Sequence, residues 1–166
     1  MNSPRLIAHR GNINGISLNL ENTKDYIDSA IKSGYDVEVD VRTGDDGELY
    51  MGHDEPQHEV ELGWLCERSE SLWIHCKDFK TLSLLTNPPN RNVLKLHCDL
   101  WVASRNLKVF YHEKEDYTII SNGLIWAHNL DEIDHNCVIP LLSKEDIKNI
   151  PDSKVWGICS DYVGLL

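Results

Sequence analysis

One stretch of the sequence alternates strictly between apolar and charged residues, and it predicts a strand over residues 35–42. Valines occupy every second position, and the charged residues between them are Asp36, Glu38, Asp40 and Arg42. A period of two places the valines on one face of a strand and the charged side chains on the other. Glu38 and Asp40 therefore project from the same face, with their Cα atoms roughly 6.6 Å apart at about 3.3 Å per residue.

The rest of the pattern alternates between short apolar strands and helices. Residues 21–34 predict a helix with one apolar face, capped by Asn22 or Thr23 and ended by Gly34. Further strands are predicted at 5–8, 48–51, 71–78, 92–101, 107–112, 117–121, 123–128 and 137–142, a final strand and loop at 154–164, and helices at 79–87 and 144–150. The strand–helix–strand order near both ends indicates a parallel sheet or barrel.

Charge narrows the range of partners. The 166 residues carry a formal net charge of −11 without a dense cluster of lysine and arginine, so we expect no nucleic-acid partner. A phosphate ester can still bind when a divalent cation lies between it and the acidic residues. The sequence has no run of about 18 apolar residues and no apolar core of a signal peptide, so we expect no transmembrane segment. Five cysteines without a C-x-x-C pair are expected to be buried free thiols of a cytoplasmic protein.

The paired carboxylates on the predicted strand favour a metal site. Unpaired carboxylates that face a protein interior repel each other and are costly to remove from water, and a divalent cation relieves both effects. The alternative is an exposed strand face with ordinary salt bridges. His9 and His53 could transfer protons near neutral pH and Arg10 could bind phosphate oxygens, although an isolated histidine is more often structural.

Five short motifs follow one another in an order that resembles the glycerophosphodiester phosphodiesterase family. They are AHRG (8–11), ENT (21–23), EVD (38–40), DG (46–47) and GHD (52–54). The segments LWIHCK (72–77) and GICSD (157–161) resemble that family's next strand and its closing strand. The resemblance is strong over residues 5–78 and weak through the middle of the chain.

The resemblance implies an α/β fold, in which a single domain over residues 1–166 forms a TIM-like (β/α) barrel with its site at the C-terminal ends of the strands. Such a barrel typically needs about 250 residues. We therefore expect a reduced or incomplete barrel with several helices missing. A second subunit of a homo-oligomer could cover the strands that those helices leave bare.

The resemblance also implies roles for individual residues. These are metal binding by Glu38 and Asp40, acid/base catalysis by His9 and His53, phosphate binding by Arg10 and Lys77, and orientation of Arg10 or the metal ligands by Glu21. Where the family has a third metal carboxylate, two residues before Lys77, this sequence has His75. We expect one divalent cation, Mg²⁺, Mn²⁺ or Ca²⁺, with Zn²⁺ also allowed because imidazole is a softer ligand. His112 and Asp116, in a polar segment that could equally be a surface turn, are expected to support the site.

The expected function is metal-dependent hydrolysis of a small-molecule phosphodiester of the glycerophosphodiester type, which the resemblance places in lipid metabolism. Two alternatives stay open. The shortened chain and His75 favour a non-catalytic descendant that binds a phosphorylated ligand or a partner, although retention of His9 and His53 argues against it. A cyclising lyase on the same scaffold would release a cyclic phosphate and stop.

Overall fold

The computed structural model describes residues 3–86, 106–151 and 154–166. Its strands are β1 (Arg5–His9), β2 (Asp36–Thr43), β3 (Leu49–Met51), β4 (His58–Glu59), β5 (Leu72–Cys76), β6 (Lys108–Phe110), β7 (Tyr117–Ile119), β8 (Ile125–Ala127), β9 (Cys137–Pro140) and β10 (Gly157–Ser160). Its α-helices are α1 (Lys24–Lys32), α2 (Leu62–Glu67), α3 (Phe79–Thr86) and α4 (Lys144–Lys148), and a 3₁₀ turn spans Val163–Leu165. The strand predicted at 92–101, with Cys98, lies outside these residues.

The strands form one curled sheet. Within the described residues, seven strands run parallel in the order β6–β5–β2–β1–β10–β9–β8. The short strands β3 and β4 extend β2 as an antiparallel ribbon, and β7 pairs antiparallel with β8. Ser121, just after β7, exchanges hydrogen bonds of 2.9 and 3.0 Å with Val109 in β6, so the two ends of the sheet meet.

The inner and outer faces of the sheet hold different apolar clusters. The inner cluster takes one residue from each of six strands and one from the end of β7: Ile7, Trp73, Phe110, Ile120, Trp126, Val138 and Cys159. Residues from opposite sides of the sheet contact one another only if the sheet curls around them, so this cluster fills the barrel interior. The alternate residues of β1, β2 and β5, such as Val39 and Ile74, point outward and pack against the helices.

The prediction of a reduced (β/α) barrel with several helices missing is confirmed. The described connections from β6 to β9 contain no helix, whereas α1, α2 and α3 cover β1, β2 and β5. Helix α2 is absent from the sequence-based predictions, because its six residues are too few to show a helical period. The longest described helix has nine residues, too short to span a bilayer.

The predicted side-chain cap of α1 is wrong. Thr23 occupies the N-cap position, but its hydroxyl donates to the Leu20 carbonyl oxygen and caps no amide. Asn22 is drawn away from the helix because its side chain bonds Asp40 on both sides: Nδ2 donates to Oδ2, and Oδ1 accepts from the backbone N–H, each at 3.1 Å. Asn22 therefore belongs to the polar interior of the barrel.

Candidate active site

Two carboxylates and one imidazole meet inside the barrel near the C-terminal ends of β2 and β5. Glu38 and Asp40 lie on the inner face of β2, and His75 is paired in register with Asp40 across to β5. The Nδ1 atom of His75 lies 3.2 Å from Asp40 Oδ1 and 3.8 Å from Glu38 Oε1. One ligand atom from each of the three residues falls within 4.8 Å of the others, which is the spacing of a single-cation site.

These side chains are buried and incompletely satisfied. Glu38 Oε2, Asp40 Oδ1 and His75 Nε2 have no hydrogen-bond partner, since the contact between His75 and Asp40 lies outside hydrogen-bonding geometry. A buried unsatisfied polar group costs about 1–3 kcal/mol. Two carboxylate oxygens and an imidazole nitrogen suit a divalent cation, which would relieve these costs. The three residues therefore fit the metal that the resemblance implied.

Electrostatics distinguish the two carboxylates. Burial raises the pKa of Glu38, and the charge of Asp40 raises it further. Burial acts on Asp40 in the same direction, but the proximity of His75 and the positive charges of Arg10 and Lys77 outweigh it, so the pKa of Asp40 falls below its ordinary value. Asp40 is thus the carboxylate that the surrounding cations keep ionised.

His9 is held at the end of β1 by a residue that follows the neighbouring strand β10. Its Nδ1 atom lies 2.8 Å from Asp161 Oδ1, just after β10, while its Nε2 atom lies 3.8 Å from Glu38 Oε2. Burial lowers the pKa of His9, but the Asp161 hydrogen bond and the charges of Glu38 and Asp161 outweigh it and raise that pKa above its ordinary value. Asp161 fixes the ring and leaves Nε2 directed to the interior.

A polar network behind His9 reaches the arginine. Asn12 donates from Nδ2 to Asp161 Oδ1 at 2.7 Å and to Glu21 Oε1 at 2.8 Å. Glu21 in turn accepts from Arg10 Nη1 at 3.2 Å, and Arg10 Nε lies 2.9 Å from Asp40 Oδ2. Glu21 therefore contacts the Arg10 guanidinium group, and its role in orienting Arg10 or the metal ligands stays a prediction.

His53 reaches the site from the loop after β3. Arg42, near the end of β2, fixes this loop by donating to three consecutive carbonyl oxygens, those of Gly52, His53 and Asp54, at 3.2, 2.6 and 2.7 Å. Gly52 is required because its φ is +149° and an added Cβ would lie 2.2 Å from the Glu55 carbonyl oxygen. The His53 side chain is about half exposed, and its Nδ1 contacts Asp54 Oδ1 at 2.7 Å.

A cavity of about 150 Å³ joins these groups. Five of the eight histidines of the chain line it, namely His9, His53, His75, His112 and His128, together with Arg10, Glu38, Trp126, Pro140 and Leu142. Lys77 adds a second cation with Nζ 3.6 Å from Asp40 Oδ1. A larger cavity, of about 720 Å³, lies at the opposite end of the barrel around Trp156, away from the carboxylates.

Two solved structures are similar to this one. A protein named as a glycerophosphoryl diester phosphodiesterase from Silicibacter pomeroyi DSS-3 matches with a TM-score of 0.55 and 14% identity, over 97% of this chain and 90% of that chain. The glycerophosphodiester phosphodiesterase of Thermotoga maritima matches with a TM-score of 0.50 and 16% identity, over 99% and 97%. The likeness shows a common fold. No protein-family model and no curated protein matches the sequence.

The structure brings together nearly all the residues selected from the sequence. His9, Arg10, Glu38, His53, His75 and His112 line the cavity. Glu21 contacts Arg10, and Lys77 contacts Asp40, which lies beside His75. Asp116 lies apart: its side chain is exposed and borders a neighbouring cavity, and its carbonyl oxygen accepts from His128 N–H at 2.8 Å.

Four polar residues of the site were not selected from the sequence: Asn12, Asn22, His128 and Asp161. Asn22 and Asp161 fall within the ENT and GICSD motifs, so those motifs carried a usable signal. His128 ends the polar segment that contains His112 and Asp116, which also carried a signal. Asn12 belongs to no motif, and its bond to Asp161 spans 149 residues.

Proposed function

We propose that this protein is a metal-dependent phosphodiester hydrolase that acts on a small glycerophosphodiester-like substrate by histidine acid/base catalysis. The observation that carries the proposal is the convergence of His9 and His53 on a cavity lined by Glu38, whose buried Oε2 atom has no hydrogen-bond partner. The two similar structures bear the names of glycerophosphodiester phosphodiesterases, which supports this substrate class over other phosphodiesters.

One divalent cation would be held by Glu38, Asp40 and His75, whose ligand atoms are close enough to share it. When bound, it would polarise the phosphoryl oxygens and offset the acidic surroundings of an anionic substrate. Mg²⁺, Mn²⁺ and Ca²⁺ suit the carboxylates, and the imidazole of His75 also admits Zn²⁺.

Arg10 and Lys77 would bind the phosphate. Both cations contact Asp40 from different sides, with Arg10 Nε 2.9 Å from Oδ2 and Lys77 Nζ 3.6 Å from Oδ1. Glu21 holds the guanidinium group through Nη1, so its position is fixed before substrate binds. A planar guanidinium can donate two hydrogen bonds to phosphate oxygens, and the ammonium group adds a point charge.

His9 and His53 would transfer the protons. One imidazole takes the proton of the attacking hydroxyl group, which belongs to water or to the glycerol part of the substrate, as its oxygen bonds to phosphorus. The other protonates the leaving alkoxide oxygen as its bond to phosphorus breaks. When the glycerol hydroxyl attacks, a cyclic phosphate forms first and water then opens it in a second step of the same kind. Asp161 keeps His9 oriented for this step through the 2.8 Å contact with Nδ1, and Arg42 keeps the loop of His53 in place.

Turnover of glycerophosphoethanolamine and of bis(4-nitrophenyl) phosphate tests the proposal. We expect EDTA to abolish hydrolysis and one of Mg²⁺, Mn²⁺, Ca²⁺ or Zn²⁺ to restore it. His135→Ala, at an exposed position at the other end of the barrel, is the control variant and should keep full activity. Folded protein that turns over neither substrate with any of the four ions would contradict hydrolysis.

Product analysis separates the two enzymatic alternatives. A hydrolase releases a phosphate monoester, and ¹⁸O from labelled water enters that product. A cyclising lyase would instead accumulate a cyclic phosphate without ¹⁸O. The phospholigand-binding alternative predicts saturable binding of glycerophosphoethanolamine without any product.

A further inference from the structure

His112 and His128 face each other beside the cavity, after the C-terminal ends of β6 and β8. Their Nε2 atoms are 3.3 Å apart. Two imidazole nitrogens bound to one tetrahedral ion at about 2.0–2.1 Å are separated by about 3.3–3.4 Å. The observed distance equals that separation, although it also fits a hydrogen bond between two neutral rings.

The two rings are held in place by their surroundings. His112 stacks on His75, with ring centroids 4.3 Å apart and an angle of 11° between the planes, and His128 meets His112 edge-on at 4.5 Å. The backbone N–H groups of His128 and Asn129 both donate to the Asp116 carbonyl oxygen, at 2.8 and 3.3 Å. These bonds tie the loop after β6 to the end of β8, so the pair is organised by the fold.

Space is available on both sides of the pair. His112 and His128 line the cavity that contains Glu38 and also a second cavity of about 170 Å³. The second cavity is also bordered by Glu113, Glu115 and Asp116, all exposed. An ion between the imidazoles could take water oxygens from that side and an oxygen of a bound molecule from the other.

We infer that His112 and His128 form a second metal site, which binds a nitrogen-preferring transition ion such as Zn²⁺ next to the site of Glu38, Asp40 and His75. Two imidazoles discriminate against Mg²⁺ and Ca²⁺, which prefer oxygen ligands. The protein should therefore hold one Mg²⁺ but two Zn²⁺ ions. This inference concerns metal binding alone and does not depend on hydrolysis of any substrate.

Metal stoichiometry tests the second site. Tag-free, full-length protein is stripped with EDTA and titrated with Zn²⁺ and with Mg²⁺ by calorimetry, and Co²⁺ absorption reports on the coordination geometry. We expect the wild type to bind two Zn²⁺ ions in the zinc titration and one Mg²⁺ ion in the magnesium titration. His112→Ala and His128→Ala should each bind one Zn²⁺ and keep the Mg²⁺ site.

Matched variants identify the ligands. Asp40→Asn should lose Mg²⁺ but retain one Zn²⁺, and adding His128→Ala should remove that ion. His135→Ala and His97→Ala are controls and should still bind two Zn²⁺ ions. If circular dichroism shows that His128→Ala is unfolded, His128→Asn replaces it, because asparagine keeps a polar side chain at this position.

A single Zn²⁺ in the wild type that folded His112→Ala still binds would overturn the inference. It would also be overturned if folded His112→Ala and His128→Asn kept two Zn²⁺ ions. In either case the 3.3 Å contact is a hydrogen bond between imidazoles. Loss of one Zn²⁺ in His97→Ala alone would instead place the second ion elsewhere in the chain.

Discussion

Asp36 and Asp40 lie on the same face of β2, four residues apart, and the two ends of the barrel satisfy them in different ways. At the N-terminal end, Asp36 accepts from Arg5 Nη2 at 2.6 Å and from Trp73 Nε1 at 3.0 Å. At the C-terminal end, Glu38 and Asp40 each bury one oxygen atom that has no hydrogen-bond partner. Lys108, at the start of β6, is a second charged group with hydrogen-bond partners at the N-terminal end, because its Nζ atom donates to two carbonyl oxygens at 2.7 Å.

The contrast distinguishes Asp36, a charged group paired within the fold, from Glu38 and Asp40, charged groups that could pair with a ligand. Buried polar groups are nearly always paired in folded proteins, so unpaired ones at one end of a barrel indicate a functional site. The unsatisfied atoms of Glu38, Asp40 and His75 cost stability that the paired end must offset. The contrast therefore predicts different outcomes for substitutions at the two ends.

The largest effect is expected at the two histidines of the C-terminal end. His9→Ala and His53→Ala should each reduce kcat/KM by roughly 10²–10⁴-fold, because each removes a proton-transfer group. The thermal unfolding temperature of His53→Ala should change little, because the His53 side chain is half exposed. Steady-state kinetics with bis(4-nitrophenyl) phosphate measures the loss, and near-normal turnover in either variant would remove that residue from the mechanism.

A substitution at the N-terminal end of the barrel should lower stability and leave activity unchanged. Asp36→Ala leaves the buried Trp73 N–H without an acceptor, so we expect unfolding to become easier by about 1–3 kcal/mol. Arg5 is half exposed and can return to water, which limits the loss. Urea denaturation measures the change, with the exposed Asp131→Ala as the control. A drop in kcat below the unfolding temperature would show that the two ends are coupled.

Removing one buried charge at the C-terminal end should have the reverse effect on stability. Glu38→Gln keeps the shape but deletes a carboxylate that burial and Asp40 both disfavour, so the metal-free protein should gain about 1 kcal/mol. Differential scanning calorimetry with and without Mn²⁺ tests this, since the variant should also lose the rise in Tm that the ion produces in the wild type. A less stable metal-free variant would mean that Glu38 is adequately paired without metal.

The smallest effect concerns metal preference. His75→Glu replaces the imidazole with a carboxylate, a ligand that Mg²⁺ prefers. The variant should therefore shift the Mn²⁺/Mg²⁺ affinity ratio by roughly threefold to tenfold toward Mg²⁺. Titration is done in the His112→Ala background, so that only the carboxylate site is measured. An unchanged ratio would place His75 outside the ligand set and leave it as a contact of Asp40.

The sequence predicted which side chains share the inner face of a strand because strand alternation is local. The period of two in residues 35–42 was enough to place Glu38 and Asp40 together, and the spacing of His75 and Lys77 followed from the same rule. The motif order, and not the hydrophobic pattern, led to the barrel. Both signals lie within short segments of the chain.

Contacts between distant segments were beyond that reasoning. Asn12 bonds Asp161, 149 residues later, and His112 meets His128 across strands β6 and β8, whose relative position depends on how the sheet closes. Neither distance nor register across the barrel can be read from the local pattern of either segment. The local pattern favours a helix cap at Asn22 or Thr23 for the same reason, since the acceptor of the Asn22 side chain lies on strand β2.

The hold of Arg42 on three consecutive carbonyl oxygens has a consequence for conformational entropy. Ordering a free loop when substrate binds costs about 1–2 kcal/mol for each backbone residue fixed. Because Gly52, His53 and Asp54 are already bonded to Arg42 on β2, that ordering takes place during folding. A substrate should therefore meet His53 in its working position and spend its binding free energy on contacts instead of loop closure.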